Sequence, residues 1–269
     1  MRNNSPGLIA VTRWVVWLAL WFFALPSGLA AATASGAYDY ATPKLLTATL
    51  YAIGSDRKQV LYTFRRTAVR SNSIVHVERQ FFGTNGALAA AESVVYESNR
   101  LVSFQMQDFQ ADVSGAVRIA PDPKHPGRQQ LFISSGRGLS PPKGVAQNLP
   151  PDTLIDDTLY PFLLAHWDSL RQGDAVKFHF ISLDWERTFE FALTKTGEAV
   201  QRGRPVVLIT MKPTSIFVAA LVKPLIFTVE KDSPHRLLSY IGRTTPRVKK
   251  GRSWKYLDAE TVFDADPED

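Results

Sequence analysis

Val102-Ser103-Phe104-Gln105-Met106-Gln107 alternates apolar and polar side chains without a break. In a strand, successive side chains point to opposite faces. This stretch therefore sends Val102, Phe104 and Met106 to one side and Ser103, Gln105 and Gln107 to the other. A helix would scatter the same residues around its circumference. The alternation predicts a sheet that is dry on one face and wet on the other, as antiparallel sheets commonly are.

The pattern recurs outward in both directions. Val75 and Val77 alternate with His76, Glu78 and Gln80; Val176, Phe178 and Phe180 with Lys177 and His179; Phe189, Phe191 and Leu193 with Thr188, Glu190 and Ala192. Further strands are expected at Leu45–Ala52, Val60–Arg66, Ala90–Tyr96, Val113–Ile119, Gln130–Ser134, Val206–Met211, Leu225–Glu230, Arg236–Gly242 and Trp254–Phe263. Turn chemistry separates neighbours at hairpin distance, at Thr84-Asn85-Gly86, Glu97-Ser98-Asn99 and Asp232-Ser233-Pro234. The expected fold is mainly β: one large curved antiparallel sheet, a half-barrel or open barrel curled to protect its edges. No repeat of fixed period is present.

One segment departs from period two. Ile155, Leu159, Phe162, Leu163, His166, Trp167 and Leu170 are spaced for one face of a helix near 155–171. Asp156, Asp157 and Thr158 supply capping at its start, Pro161 fits only in a first turn, and Gly173 ends it. Gly136 to Pro151, rich in Gly, Ser and Pro, reads as a long loop into this helix. The sheet is thus expected to wrap around a single apolar helix. A second irregular run, Ile216 to Val222, is apolar on every side and is too short to span a membrane. It reads equally as a flap over a cavity, a membrane-facing surface, or an ordinary turn covering the core.

The helix Asp156–Leu170, the following Arg171-Gln172-Gly173-Asp174-Ala175-Val176-Lys177-Phe178 and the hairpin Leu225–Gly242 around Lys231-Asp232-Ser233-Pro234 give a strand–helix–strand order. This order resembles the half-barrel of the periplasmic lipoprotein carriers (the LolA/LolB type) and of proteobacterial envelope families of unknown function. The resemblance is one of pattern across about Ala37 to Phe263, and no signature residue carries over. It implies an apolar cavity between sheet and helix that takes an acyl chain. Phe104, Phe178, Phe180, Phe189 and Phe191 on the strands and Phe162 and Trp167 on the helix would line it, with Ile216, Phe217 and Leu221 at its mouth. The membrane-anchored carrier begins with a lipidated cysteine, which this chain lacks.

Residues 1–34 read as an export signal. Arg2 and Arg13 precede or flank the unbroken apolar run Trp14 to Leu25, and Pro26-Ser27-Gly28 then breaks any helix. Cleavage is expected after Ala30, Ala32 or Ala34; an uncleaved anchor is the alternative, if the alanines extend the helix. Residues 35–263 then form a single β-rich domain and 264–269 an acidic tail. Removing Arg2 and Arg13 leaves 29 positive residues against 25 acids, a net +4. With no cysteine in the chain, disulfides, thiolate metal sites and a cysteine nucleophile are excluded. Export makes a periplasmic or secreted location the expectation and nucleic acid an improbable partner. A phosphate-binding GxxxxGK[ST] loop is absent in any case.

No catalytic or metal constellation stands out, and no cofactor is expected. His76, His125, His166, His179 and His235 fall in no metal-ligand spacing; His76 and His179 read as surface and His166 as a core histidine. Gly136-Arg137-Gly138-Leu139-Ser140 has the wrong order for a nucleophile elbow. Asp156 and Asp157 read as helix capping rather than as paired catalytic acids. Arg243 to Lys255 holds six positive residues. It reads as a solvated loop between two strands, or as a grip on an anionic surface through Arg247, Lys249, Lys250 and Arg252. The expectation is therefore a non-enzymatic envelope protein that binds or carries a hydrophobic, lipid-like ligand. The alternative is an assembly factor holding a protein or polysaccharide. A hydrolase stands third.

Overall fold

In the computed structural model, residues 38–138 and 143–264 are described. The expected export signal, Leu139 and Ser140, and the end of the acidic tail lie outside the described residues. The chain first runs through a meander of strands: β1 (Leu45–Ala52), β2 (Val60–Ser71), β3 (Ile74–Gly83), β4 (Leu88–Glu97), β5 (Arg100–Asp108), β6 (Val113–Pro121), β7 (Gln129–Arg137) and β8 (Lys143–Asn148). A short strand β9 (Thr153–Leu154) precedes the helices α1 (Asp156–Ala165) and α2 (Trp167–Gln172). A second meander follows: β10 (Val176–Ser182), β11 (Arg187–Gln201), β12 (Arg204–Pro213), the one-turn helix α3 (Ile216–Ala219), β13 (Leu225–Glu230), β14 (Leu237–Lys250) and β15 (Ser253–Phe263).

All fifteen strands of the described residues belong to one sheet, in the order β8-β7-β6-β5-β4-β3-β2-β1-β15-β14-β13-β12-β11-β10-β9. Neighbours are antiparallel except β9 and β10, which are parallel. The expected mainly β class with one large antiparallel sheet is what the chain adopts. Alternation sets the faces: in β3, Val75 and Val77 are buried while His76 and Glu78 are exposed. The turn Ser98-Asn99 has φ of 48° and 61°, the doubly positive pair that a tight two-residue hairpin requires.

Four expectations need correction. The stretch Gly136 to Pro151 is not all loop, since it contains the end of β7 and the whole of β8. Arg243 to Lys255 is not a loop either. Strands β14 and β15 stay paired out to Lys250↔Ser253, and only Gly251 and Arg252 turn. The expected single helix is two, because His166 has φ −112° and ψ 18°, outside helical geometry, and Trp167 starts afresh. Pro161 lies in the second turn of α1 rather than the first, where it supplies no amide to the helical ladder. Gly173 ends α2 in the left-handed conformation (φ 96°), as expected.

The sheet curls until its edges nearly meet. Its outermost strands, β8 and β9, are consecutive in the chain, and the connection 149–152 reaches no more than about 17 Å. Side chains join the two ends. Ser135 on β7 donates from its hydroxyl and its amide to Glu186, in the turn after β10, at 2.9 and 3.1 Å. Leu183 from the same turn packs on Gly115 of β6, where a Cβ would lie 2.6 Å from Leu183 Cδ1. Ile155 and Ile181 are buried among Val77, Val94, Val117 and Ile133 of the first meander. The helices pack instead on the second meander, with Leu159, Leu163, Trp167 and Leu170 against Phe178, Phe191, Ile209 and Phe227. A third cluster, including Leu50, Phe64, Phe81 and Leu257, fills the space between β1–β4 and β15.

Candidate functional site

Among the described residues the curl encloses a cavity of about 650 Å³ and another of about 410 Å³. They abut, since Asp156, Leu225, Arg243, Thr244 and Thr245 line both. The shared wall is built by an irregularity in β14. Its pairing with β15 steps from Thr244↔Leu257 to Arg247↔Tyr256, so Thr245 and Pro246 bulge out of the ladder. The bulge re-aims side chains across the interior. Thr245 donates its hydroxyl to Glu92 on β4. The Arg247 amide donates to Asp108 Oδ2 at the end of β5, at 2.9 Å.

The larger cavity lies between α1, β2–β3, β13–β14 and the segment 38–43. Leu159, Pro161, Leu164, Phe64, Phe81 and Phe227 give it apolar walls. One end is charged. Arg66 donates from Nε to Asp157 Oδ1 at 2.9 Å, and from its other nitrogens to the carbonyls of Pro43 (3.0 Å) and Tyr40 (2.8 Å). Tyr96 donates to Asp157 Oδ2 at 2.8 Å, and Tyr40 stacks on the Tyr96 ring at 3.9 Å. These contacts strap residues 38–43 across the cavity end. Beside them Arg79 pairs with Glu92, and its Nε lies 3.8 Å from Asp157.

Burial opposes charge on each of these acids, and the arginines decide the outcome. Burial alone would raise Asp157, but Arg66 and Arg79, with the hydrogen bonds of Arg66 and Tyr96, hold its carboxyl below the usual range. Burial pushes Glu92 up to about 7 despite Arg79. It also raises Asp156, against the pull of Arg79 and helped by the Asp157 charge. Asp156 has accessible surface, yet it lies deep in the fold, because the surface it exposes lines the two cavities.

The smaller cavity is the more apolar in its walls. Phe104, Phe180, Phe189, Phe191 and Met211 line it, and Val218, Leu221 and Val222 from the α3 segment close over it. Of the residues expected to line a cavity, Phe104, Phe180, Phe189, Phe191 and Leu221 are on this wall. Phe178, Phe162 and Trp167 are packed in the helix core, with the Phe162 and Phe178 rings 5.4 Å apart. Ile216 and Phe217 point to solvent, at 80% and 82% exposure. Alternation gives the face of a residue but not which part of that face stays open, so it could not separate wall from core.

Other expected positions also move. Asp156 and Asp157 begin α1 but make no side-chain cap; the Thr158 hydroxyl accepts the Ile155 amide instead, at 2.9 Å. Arg247 is buried, on the wall of the smaller cavity, and donates to Asp184 Oδ1 at 2.7 Å, so it is not part of a surface grip. Lys249, Lys250 and Arg252 are exposed at the tip of the β14–β15 hairpin. His166 is half-buried, with Nδ1 at 2.9 Å from the Phe162 carbonyl, rather than in the core. Tyr40, Arg66, Arg79, Glu92 and Arg243 had no period or motif to mark them. The charge at Arg66 and Arg79, on strand positions facing inward, is the one signal that would have found two of them.

A third depression, of about 320 Å³, opens over β4–β7 and is lined mainly by small and polar residues such as Ser93, Ser114 and Ser134. Among the described residues no group of histidine and carboxylate side chains is arranged to hold a metal ion.

No family model matches the chain, and no curated protein matches it. Among solved structures it is similar to a β-barrel-like protein of a domain of unknown function, DUF1849, from Brucella abortus. The likeness covers 81% of this chain and 93% of that one, at 7% identity and a TM-score of 0.41.

Proposed function

We propose that this protein is an exported component of the cell envelope that binds or carries a hydrophobic, lipid-like ligand between its helix and its curled sheet. The observation that carries the reading is the pair of abutting cavities with apolar walls, about 650 Å³ and about 410 Å³. Both fall in the range of small-molecule sites, roughly 300–1,000 Å³. Filling them with an acyl chain gains about 0.8 kcal/mol for each methylene removed from water, so affinity needs few polar contacts. In this reading the chain acts as a soluble periplasmic carrier of the lipoprotein-carrier kind. The exposed Lys249, Lys250 and Arg252 at the hairpin tip would meet an anionic membrane surface.

The test is native mass spectrometry of the processed chain purified from cells with their membranes. The expected result is a species heavier by one or more acyl lipids, lost on Phe189→Asp, which places a charge on the wall of the smaller cavity. A protein that stays empty and takes up no added long-chain amphiphile would overturn the reading. A stoichiometric protein partner in place of lipid would favour an assembly factor.

A further inference from the structure

The wall shared by the two cavities holds a guanidinium that the protein leaves unused. Arg243 lines both cavities, and its Nε is buried with no hydrogen-bond partner among the described residues. Its guanidinium carbon lies 4.1 Å from the ring centroid of Tyr256, which supports the group from one side. The acids around it are committed elsewhere. Asp258, directly opposite on β15, pairs with Lys223 at 3.1 Å. Asp184 takes both Arg247 and the Tyr256 hydroxyl. Glu92 takes Arg79 and Thr245. The other arginines on the cavity walls each have a carboxylate: Arg66 has Asp157, Arg79 has Glu92, Arg236 has Glu230 and Arg247 has Asp184.

A buried donor on a charged group is costly to leave unpaired, and native structures seldom do so without a reason. An arginine backed by an aromatic ring, with no acid of its own, suits a carboxylate or phosphate oxygen. Phe180, Phe189, Phe191 and Met211 continue from this position as an apolar wall. We propose that the ligand is an anionic amphiphile whose carboxylate or phosphate head pairs with Arg243 on the shared wall while its apolar chain occupies the smaller cavity. Asp156 lies on the same wall with no ion-pair partner among the described residues, and burial favours its protonated form.

This inference rests on the carrier reading, and one experiment separates the two. Hexadecanoate and hexadecanol share a chain and differ in the head. Their affinities for the processed protein are read by displacement of a fluorescent apolar probe at mildly alkaline pH, with inorganic phosphate as the head without a chain. The expected result is hexadecanoate tighter than hexadecanol by roughly ten- to hundredfold, the worth of a hydrogen bond to a charged group. Arg243→Gln should erase that preference, leave hexadecanol affinity and the thermal midpoint unchanged, and phosphate should not compete. If Arg243→Gln fails to fold, Arg243→Met, which keeps an apolar stem of similar reach but carries no charge, should erase the preference. Equal affinity of the wild type for acid and alcohol, or a preference surviving in the variant that folds, would overturn the anionic-head assignment and leave the carrier reading standing. Binding of neither amphiphile would remove both.

Discussion

Glu92 is 2% exposed, yet it accepts hydrogen bonds from Arg79 and Thr245, and so ties three strands from inside the curled sheet. Its carboxyl is pushed up to about 7 by burial. In the unfolded chain a glutamate titrates near pH ~4.3. Between these values the folded protein holds a proton that the unfolded chain has released. Glu92 thus favours folding below about pH 4.3, and this contribution is lost as the pH rises through about 7. Glu92→Gln does not titrate. Its stability relative to the wild type should therefore improve as the pH rises from about 4 to 7, in urea unfolding followed across that range. A difference that stays flat would show that Arg79 holds Glu92 ionised throughout. Neither this pair nor the Arg66–Asp157 pair was legible in the sequence, because their partners are set by the fold. Arg66 and Asp157 are 91 residues apart in the chain. The two aspartates were visible as a helix start; that Asp157 is spent on β2 and β4 was not.

At the scale of elements, the segment between β12 and β13 divides its apolar side chains between cavity and solvent. Val218, Leu221 and Val222 cover the smaller cavity, whereas Ile216 and Phe217 stand in solvent. Lys223, just beyond them, ties the segment to Asp258 on β15 at 3.1 Å. Phe217→Asp should therefore change unfolding stability by no more than about 0.5 kcal/mol and leave amphiphile loading intact. Val218→Asp, one residue on, should lose loading because it charges the cavity roof. Loading that falls with Phe217→Asp but survives Val218→Asp would mean that the segment is turned the other way. Strands β1 and β13 start and stop where their alternation does. Strand β8 was hidden by the glycines and prolines around it, and the far ends of β14 and β15 by their positive charges. An exposed hairpin tip tolerates such charges because the ladder pairs backbone, not side chains. The break at His166 was invisible for the opposite reason, since the apolar spacing continues unchanged through it.

At the scale of the molecule, the sheet is held in its curl by side chains and turns rather than by a closed ladder. Asp108 is one of these ties. It is 1% exposed and accepts the amides of Gln110 (3.1 Å), Ala111 (3.0 Å) and Arg247 (2.9 Å), the last reaching over from β14. Asp108→Ala leaves these donors unmatched and should cost at least about 2 kcal/mol in urea unfolding, with Asp108→Asn costing less because its carbonyl oxygen still accepts. A loss below about 0.5 kcal/mol for Asp108→Ala would mean that the curl is held elsewhere.

By itself the sequence determined the β class, the antiparallel faces, most turns and the place of the helical segment. These depend on neighbours a few residues apart, and the two-residue and 3.6-residue periods record them directly. Only the tertiary structure decided that two cavities meet at the bulge of β14, which phenylalanines line them, and that Arg243 stands there without an acid. Open space and an unpaired charge are properties of what fails to meet in three dimensions, and a sequence records only what each residue is.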